Sequence, residues 1–155
     1  VKVGRRGSLT AWFAVDGVQG HSAYPERARN PVTAAARLVD RLASRPLDAG
    51  TARFGPSTLA PVTIDTGNAA TNVIPARARA AVNIRFNDRH TGASLEARLR
   101  EEAARVAAEC GVAIGVEVRV AGEAFVTEPG PFVDLVVRAV EAETGRRPEL
   151  STTGG

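Results

Sequence analysis

The stretch Arg77-Ala78-Arg79-Ala80-Ala81-Val82-Asn83-Ile84-Arg85-Phe86 alternates along its whole length. Ala78, Ala80, Val82, Ile84 and Phe86 fall on one face, and Arg77, Arg79, Ala81, Asn83 and Arg85 on the other. A period of two predicts a strand with one apolar side and one arginine-rich side. Such a strand belongs in a sheet covered on one face and open to water or ligand on the other.

Moving outward, the same pattern recurs. In residues 7–18, Leu9, Ala11, Phe13 and Val15 alternate with Thr10, Trp12, Ala14 and Asp16. Asn30-Pro31 supplies an N-cap and a first-turn proline. The helix that follows carries Val32, Ala35, Leu38, Val39 and Leu42 as its stripe and stops before Pro46. A second strand is expected near 58–65, followed by a turn at 66–68. A second helix runs over 94–110 on Leu95, Leu99, Ala103 and Val106, with Gly111 as its C-cap. Val112, Ile114, Val116, Val118 and Val120 then form the apolar face of a fourth strand. The order strand, helix, strand, strand, helix, strand predicts an α+β ferredoxin-like sandwich over residues 7–121. It has a four-stranded antiparallel sheet with two helices on one face.

Glu128-Pro129-Gly130-Pro131 is a break, and Phe132, Leu135, Val136, Ala139 and Val140 form a third helix ending at Gly145. Both sandwich helices already cover one sheet face, so this helix is expected to belong to another domain. Residues 122–155 are read as the start of that domain, and residues 1–6 as the hinge leading into the sandwich.

The chain has 155 residues, 44% hydrophobic and 24% charged, which excludes wholesale disorder. It contains no methionine, begins on Val1 and stops just after the loop-like Ser151-Thr152-Thr153, which suggests an internal piece of a longer protein. The single cysteine, Cys110, cannot form an internal disulfide and reads as core. No apolar run approaches the roughly 20 residues of a membrane span, and no signal peptide opens the chain. The expectation is a cytoplasmic location with no membrane partner. His21 and His90 are the only histidines, and no Cys or His cluster has metal-ligand spacing. Residues 1–100 hold 15 basic and 7 acidic groups, and residues 101–155 hold 5 and 10. A basic half suits nucleic acid or small carboxylates, although nineteen arginines against one lysine also fit a GC-rich genome.

Several residues stand out chemically. His21 follows Gly20 in a glycine-flanked loop and reads either as a functional donor or as a surface histidine satisfied by water. Asn72 could bind an oxyanion or simply satisfy turn backbone, and Thr71 is a weaker neighbour of the same kind. Arg85, on the polar sheet face, can grip a carboxylate bidentately or remain solvated. His90 reads as a loop residue, and Arg6, Arg77 and Arg79 as surface charge.

Gly4-Arg5-Arg6-Gly7-Ser8, Gly20-His21-Ser22-Ala23-Tyr24-Pro25, Asn72-Val73-Ile74-Pro75, Asn83-Ile84-Arg85-Phe86 and Leu150-Ser151-Thr152-Thr153-Gly154-Gly155 together resemble the zinc-dependent aminoacylase and carboxypeptidase family. The first and last of these strings point to its branch that releases succinate from an acylated diamino acid. The resemblance implies that residues 7–121 are the family's lid and dimerisation domain, and that 1–6 and 122–155 lead from and back to its catalytic domain. It implies a homodimer acting on a small dicarboxylate, with no nucleic acid. His21 would cross the dimer interface to donate to the oxyanion, with Asn72 beside it. Arg5, Ser8, Tyr24, Thr71, Arg85 and Gly155 match positions that contact substrate. The family's zinc ligands and general-base glutamate lie before and after the lid, so this chain would bind no metal and would be inactive alone. Two alternatives stay open. One is another member of the family, such as an acetylornithine deacetylase or an aminoacyl carboxypeptidase; the other is a ferredoxin-like module that binds RNA or a small effector.

Overall fold

The computed structural model describes residues 1–153. Gly4–Arg5 (β1) precedes the long strand Gly7–Asp16 (β2). Gly20–His21 (β3), one 3-10 turn at Pro25–Arg27 and helix Pro31–Ala43 (α1) follow. Next come Thr58–Asp65 (β4), Val73–Ile74 (β5) and Arg77–Phe86 (β6). Helix Gly92–Cys110 (α2) leads to Ala113–Gly122 (β7), Phe125–Val126 (β8) and helix Pro131–Thr144 (α3).

The long strands form one antiparallel sheet in the order β4-β6-β2-β7, the ferredoxin-like arrangement that the pattern predicts. β2 is central and pairs with β6 from Gly7↔Phe86 to Asp16↔Arg77. Its buried face carries Leu9, Ala11, Phe13 and Val15, which pack with Val82, Ile84 and Phe86 of β6 beneath the two helices. α1 contributes Ala34, Ala35 and Leu38, and α2 contributes Leu95, Leu99, Ala103 and Val106. Gly7 makes room for Phe86: a Cβ at Gly7 would lie 2.2 Å from the ring's Cζ. Full burial of such a ring stabilises by about 1.5–3 kcal/mol.

The helix ends follow from local chemistry. Asn30 Oδ1 accepts from the Val32 N–H at 2.9 Å. Thr91 and Ser94 form a capping box, so α2 starts at Gly92, two residues before the apolar spacing suggests. Gly111, at φ 65°, closes α2 in the left-handed conformation. In α1 the consecutive alanines Ala34 and Ala35 are both buried, whereas Val32 and Val39 are half-buried. Two small side chains side by side let the helix face the sheet along a line rotated from the predicted stripe. Ion pairs, among them Arg41 with Glu109 and Arg45 with Glu102, bridge α1 and α2, and water screens them where they are exposed.

The connection between α1 and β4 holds the main polar cluster below the surface. The Asp48 side chain is 4% exposed and accepts from Gly50 N–H (2.6 Å), Ser57 N–H (3.2 Å), Asn87 Nδ2 (2.7 Å) and His90 Nε2 (3.0 Å). Asn87, fully buried, also donates its backbone N–H to Ser57 Oγ and accepts from the Arg89 N–H. Burial alone would raise the Asp48 pKa, but the bonds from Ser57, Gly50 and Asn87 outweigh it and hold the carboxyl well below the usual range. His90 does lie in a loop, as its sequence position suggests, but its ring is committed to this buried carboxylate.

α3 ends at Gly145, at φ 66°. Among the described residues it makes no substantial packing contact with the sandwich elements. Phe132 and Leu135 are exposed on it.

Asp48→Asn turns an amide toward donors that need an acceptor, and is expected to destabilise the chain by about 2–3 kcal/mol at pH 7. A carboxyl whose pKa is depressed by folding stabilises fully above its unfolded value, about 4, and loses that contribution as pH falls through the folded value. Urea unfolding of both proteins should therefore show a gap that is constant near neutrality and narrows below about pH 4.

Candidate functional site

Two groups of the singled-out side chains lie at opposite ends of β2. The first is built by the glycine-rich loop after β2. Gly17 N–H donates to Ala76 O at 2.8 Å, and Val18 exchanges both backbone bonds with Arg29. A Cβ at Gly17 would sit 2.0 Å from Arg29 O, so only glycine permits this crossing. The chain then forms β3, in which Gly20 pairs with Ile74 and His21 with Val73 of β5. Ser22 N–H donates to Asn72 O at 2.9 Å, which brings His21, Thr71 and Asn72 onto one exposed rim. Tyr24 joins them, its ring centroid 6.0 Å from that of His21, with the Arg27 guanidinium over its other side at 5.1 Å.

The state of the His21 ring follows from one bond. Its Nδ1 accepts from the Ala23 backbone N–H at 3.1 Å. A nitrogen that accepts carries no proton, so the neutral ring holds its proton on Nε2. The imidazole therefore offers a donor from an exposed position while its other nitrogen is tied to the loop.

The second group lies at the other end of the sheet. Ser8 pairs directly with Arg85 on β6, and with Gly122 on β7. Arg5 stacks its guanidinium 5.9 Å from the centroid of Phe125, and its Nη2 comes within 3.0 Å of where a Cβ on Gly122 would lie. Arg5, Ser8 and Arg85 thus share one corner rich in positive charge. Gly155 lies outside the described residues. Asn83 is on the same open face but is tied to Thr10 Oγ1 at 3.0 Å, and Arg77 is paired with Asp16 at 2.8 Å.

From Ser8 to Asp16 the strand rises about 26 Å at roughly 3.3 Å per residue, and His21 lies beyond that far end. One copy cannot lay both groups on one small molecule. Among the described residues no group of three or more His, Cys, Asp or Glu side chains could hold a metal ion. No described helix is long and apolar enough to cross a membrane.

The Asp48, Ser57, Asn87 and His90 cluster escapes a reading by motif. Its members come from two separate connections, 44–57 and 87–91, and only the Asp48-Ala49-Gly50 turn signature hints at it. The two-residue strands β1, β3, β5 and β8 are too short to show any period.

Comparison with known proteins adds identity to this geometry. A family model described as a peptidase dimerisation domain matches residues 3–109. The chain is 68% identical over all 155 residues to a succinyl-diaminopimelate desuccinylase of Cereibacter sphaeroides, and 66% identical to one of Ruegeria pomeroyi. It spans 41% of the length of each of these relatives. A tripeptidase from Staphylococcus aureus superposes on 99% of the chain with a TM-score of 0.79 at 16% identity, over 39% of its own length. The aminopeptidase PepT from Bacillus cereus does so over 99% of the chain with a TM-score of 0.77 at 22% identity, over 40% of its length. At those identities the likeness is one of fold.

The tautomer of His21 can be read directly. Long-range proton–nitrogen correlation spectra in the neutral range should show Nδ1 unprotonated and Nε2 carrying hydrogen. The reverse pattern would mean that the Ala23 contact does not govern the ring.

Proposed function

The chain belongs to the peptidase dimerisation-domain family, and we propose that it is the dimerising lid of a larger amide hydrolase that removes the succinyl group from N-succinyl-LL-2,6-diaminopimelate, yielding succinate and LL-2,6-diaminopimelate. Residues 7–121 form the lid, and residues 1–6 and 122–155 lead from and back to the catalytic domain. The names of the relatives that match the whole chain support the substrate.

The single observation that carries the mechanism is the separation of the two groups along β2. β2 and β4 run the same way in the sheet, and β6 runs oppositely. β4 is an edge strand, its outer backbone groups unpaired by any described strand, and Val62 and Ile64 on it are 54% and 53% exposed. A two-fold axis normal to the sheet beside β4 would pair this edge with its own copy, antiparallel. That operation inverts the partner's strands end for end. The partner's His21 loop then stands at the end where this copy holds Arg5, Ser8 and Arg85. β5, to which β3 pairs, lies between β4 and β6 in the chain, so the His21 loop is tied to the β4 side of the sheet.

Each residue then has a task. Arg5 and Arg85 grip substrate carboxylates, with Ser8 as a further donor. The partner subunit's His21 donates from Nε2 to the amide oxygen as that oxygen gains negative charge, and Asn72 adds a neutral donor. A donor aimed at developing charge in a site closed to water lowers the barrier by about 3–4 kcal/mol. Tyr24 and Thr71 line the same rim. The zinc expected for this family finds no ligand set among the residues described in this chain, and its ligands would come from elsewhere in the protein. The open sheet face presents one exposed aromatic, Trp12, among the described residues, fewer than sheet-based RNA readers stack upon.

Mixing tests the arrangement in the intact protein. His21→Ala and Arg85→Ala should each lower kcat/KM by about 10²-fold or more. Mixed at equal amounts and allowed to exchange subunits, they should recover about a quarter of wild-type activity, since half the dimers are mixed and one of two sites in each is whole. No recovery despite demonstrated exchange would sink the cross-subunit site. Ile64→Lys should shift sedimentation toward monomer, because it sets a charge in the paired edge.

A further inference from the structure

The 14-residue connection from Ser44 to Ser57 has no regular structure, and irregular spans of this length in compact domains usually serve a purpose. Its root is immobilised by Asp48, as described above, and by Phe54, which is buried. Between them Gly50, at φ 91°, and the Thr51 turn bring Arg53 to the surface. There Arg53 makes a two-pronged ion pair with Glu128, one prong at 2.6 Å, and its carbonyl accepts from Thr152 Oγ1 at 2.5 Å. Arg6 Nη1 reaches Pro56 O at 3.5 Å. The connection therefore touches both the segment entering the sandwich and the segment leaving it.

Those segments meet in a slender crossing. β1 and β8 pair at two positions, Gly4↔Val126 and Arg5↔Phe125. Thr127 N–H donates to Val3 O, and Val3 N–H to Ser151 O. Beside Arg53 the crossing borders an open cleft of about 360 Å³ lined by Val3, Val126, Pro129 and Leu150. Two backbone pairs beside an open cleft give side-chain packing little purchase on the angle of the crossing. Polar contacts from a rigid neighbour can supply what packing does not.

We propose that Arg53 is a positioning residue: carried on the Asp48-anchored strap, it clasps Glu128 and Thr152 and so sets the angle between the sandwich and the segments that enter and leave it. The Arg53 and Glu128 side chains are 40% and 72% exposed, so water screens the clasp and it is weak enough to open and close. This inference uses the division of the chain at the crossing and does not depend on the substrate.

The test is hydrogen exchange on the intact protein. Arg53→Ala and Glu128→Gln should each speed exchange at Val3, Thr127 and Ser151 about fivefold, with Arg53→Lys in between, while amides of β2 and β6 are unchanged. In the same variants kcat/KM should fall several-fold, since the crossing carries Arg5. Unchanged exchange at the crossing would overturn the proposal, even if activity fell. Equal acceleration in β2 and β6 would also overturn it, because the residues would then support only global stability. If the cross-subunit site is wrong, the exchange result still stands on its own.

Discussion

β2 is hydrogen-bonded on both sides along most of its length, and the rest of the molecule is organised by that fact. Its buried side chains form the floor on which both helices rest, and its register with β6 sets which arginines face away from the core. The same rigidity keeps its two ends apart. A strand in the middle of a sheet cannot shorten or fold back, so chemistry placed at its two ends stays divided within one copy. The division of labour proposed between subunits would then be a consequence of strand length.

The loop groups depend on that frame in different ways. The His21 rim is held by backbone bonds, by close approach at glycines and by one side chain-to-backbone contact that orients the ring. The Arg5, Ser8 and Arg85 corner is held by strand pairing, with long side chains free to adapt. A donor that must meet one oxygen benefits from a fixed ring. A grip on carboxylates benefits from reach, because guanidinium forks tolerate small changes in approach.

The sandwich was legible because its evidence is local and repeated. Leu9 to Val15 and Ala78 to Phe86 each declare a face without reference to any other part of the chain. Leu95, Leu99, Ala103 and Val106 do the same at helical spacing, and the structure buries all four. What was not legible is what depends on distant turns meeting. His90 carries no mark in its own neighbourhood, because its partner Asp48 is 42 residues away. The site residues came into view only as members of short strings that resemble a family. Spacing alone left Asn72 balanced between a functional and a bland role, and leaned His21 toward a surface histidine.

Pro61 sits within the β4 edge, next to an irregularity in its pairing with β6 between Pro61 and Thr63. Proline has no N–H, and within sheets it is tolerated where that missing donor faces away from the neighbouring strand. With that side turned outward, as an edge strand allows, the rim of β4 would be interrupted near its middle. A foreign strand with regular spacing would find a rung missing and gain little by adding there. A copy of β4 arriving antiparallel about a two-fold axis would bring the same gap to nearly the same place. The interruption would thereby discourage stray, fibre-like stacking on a surface that the proposed dimer leaves open for its own twin.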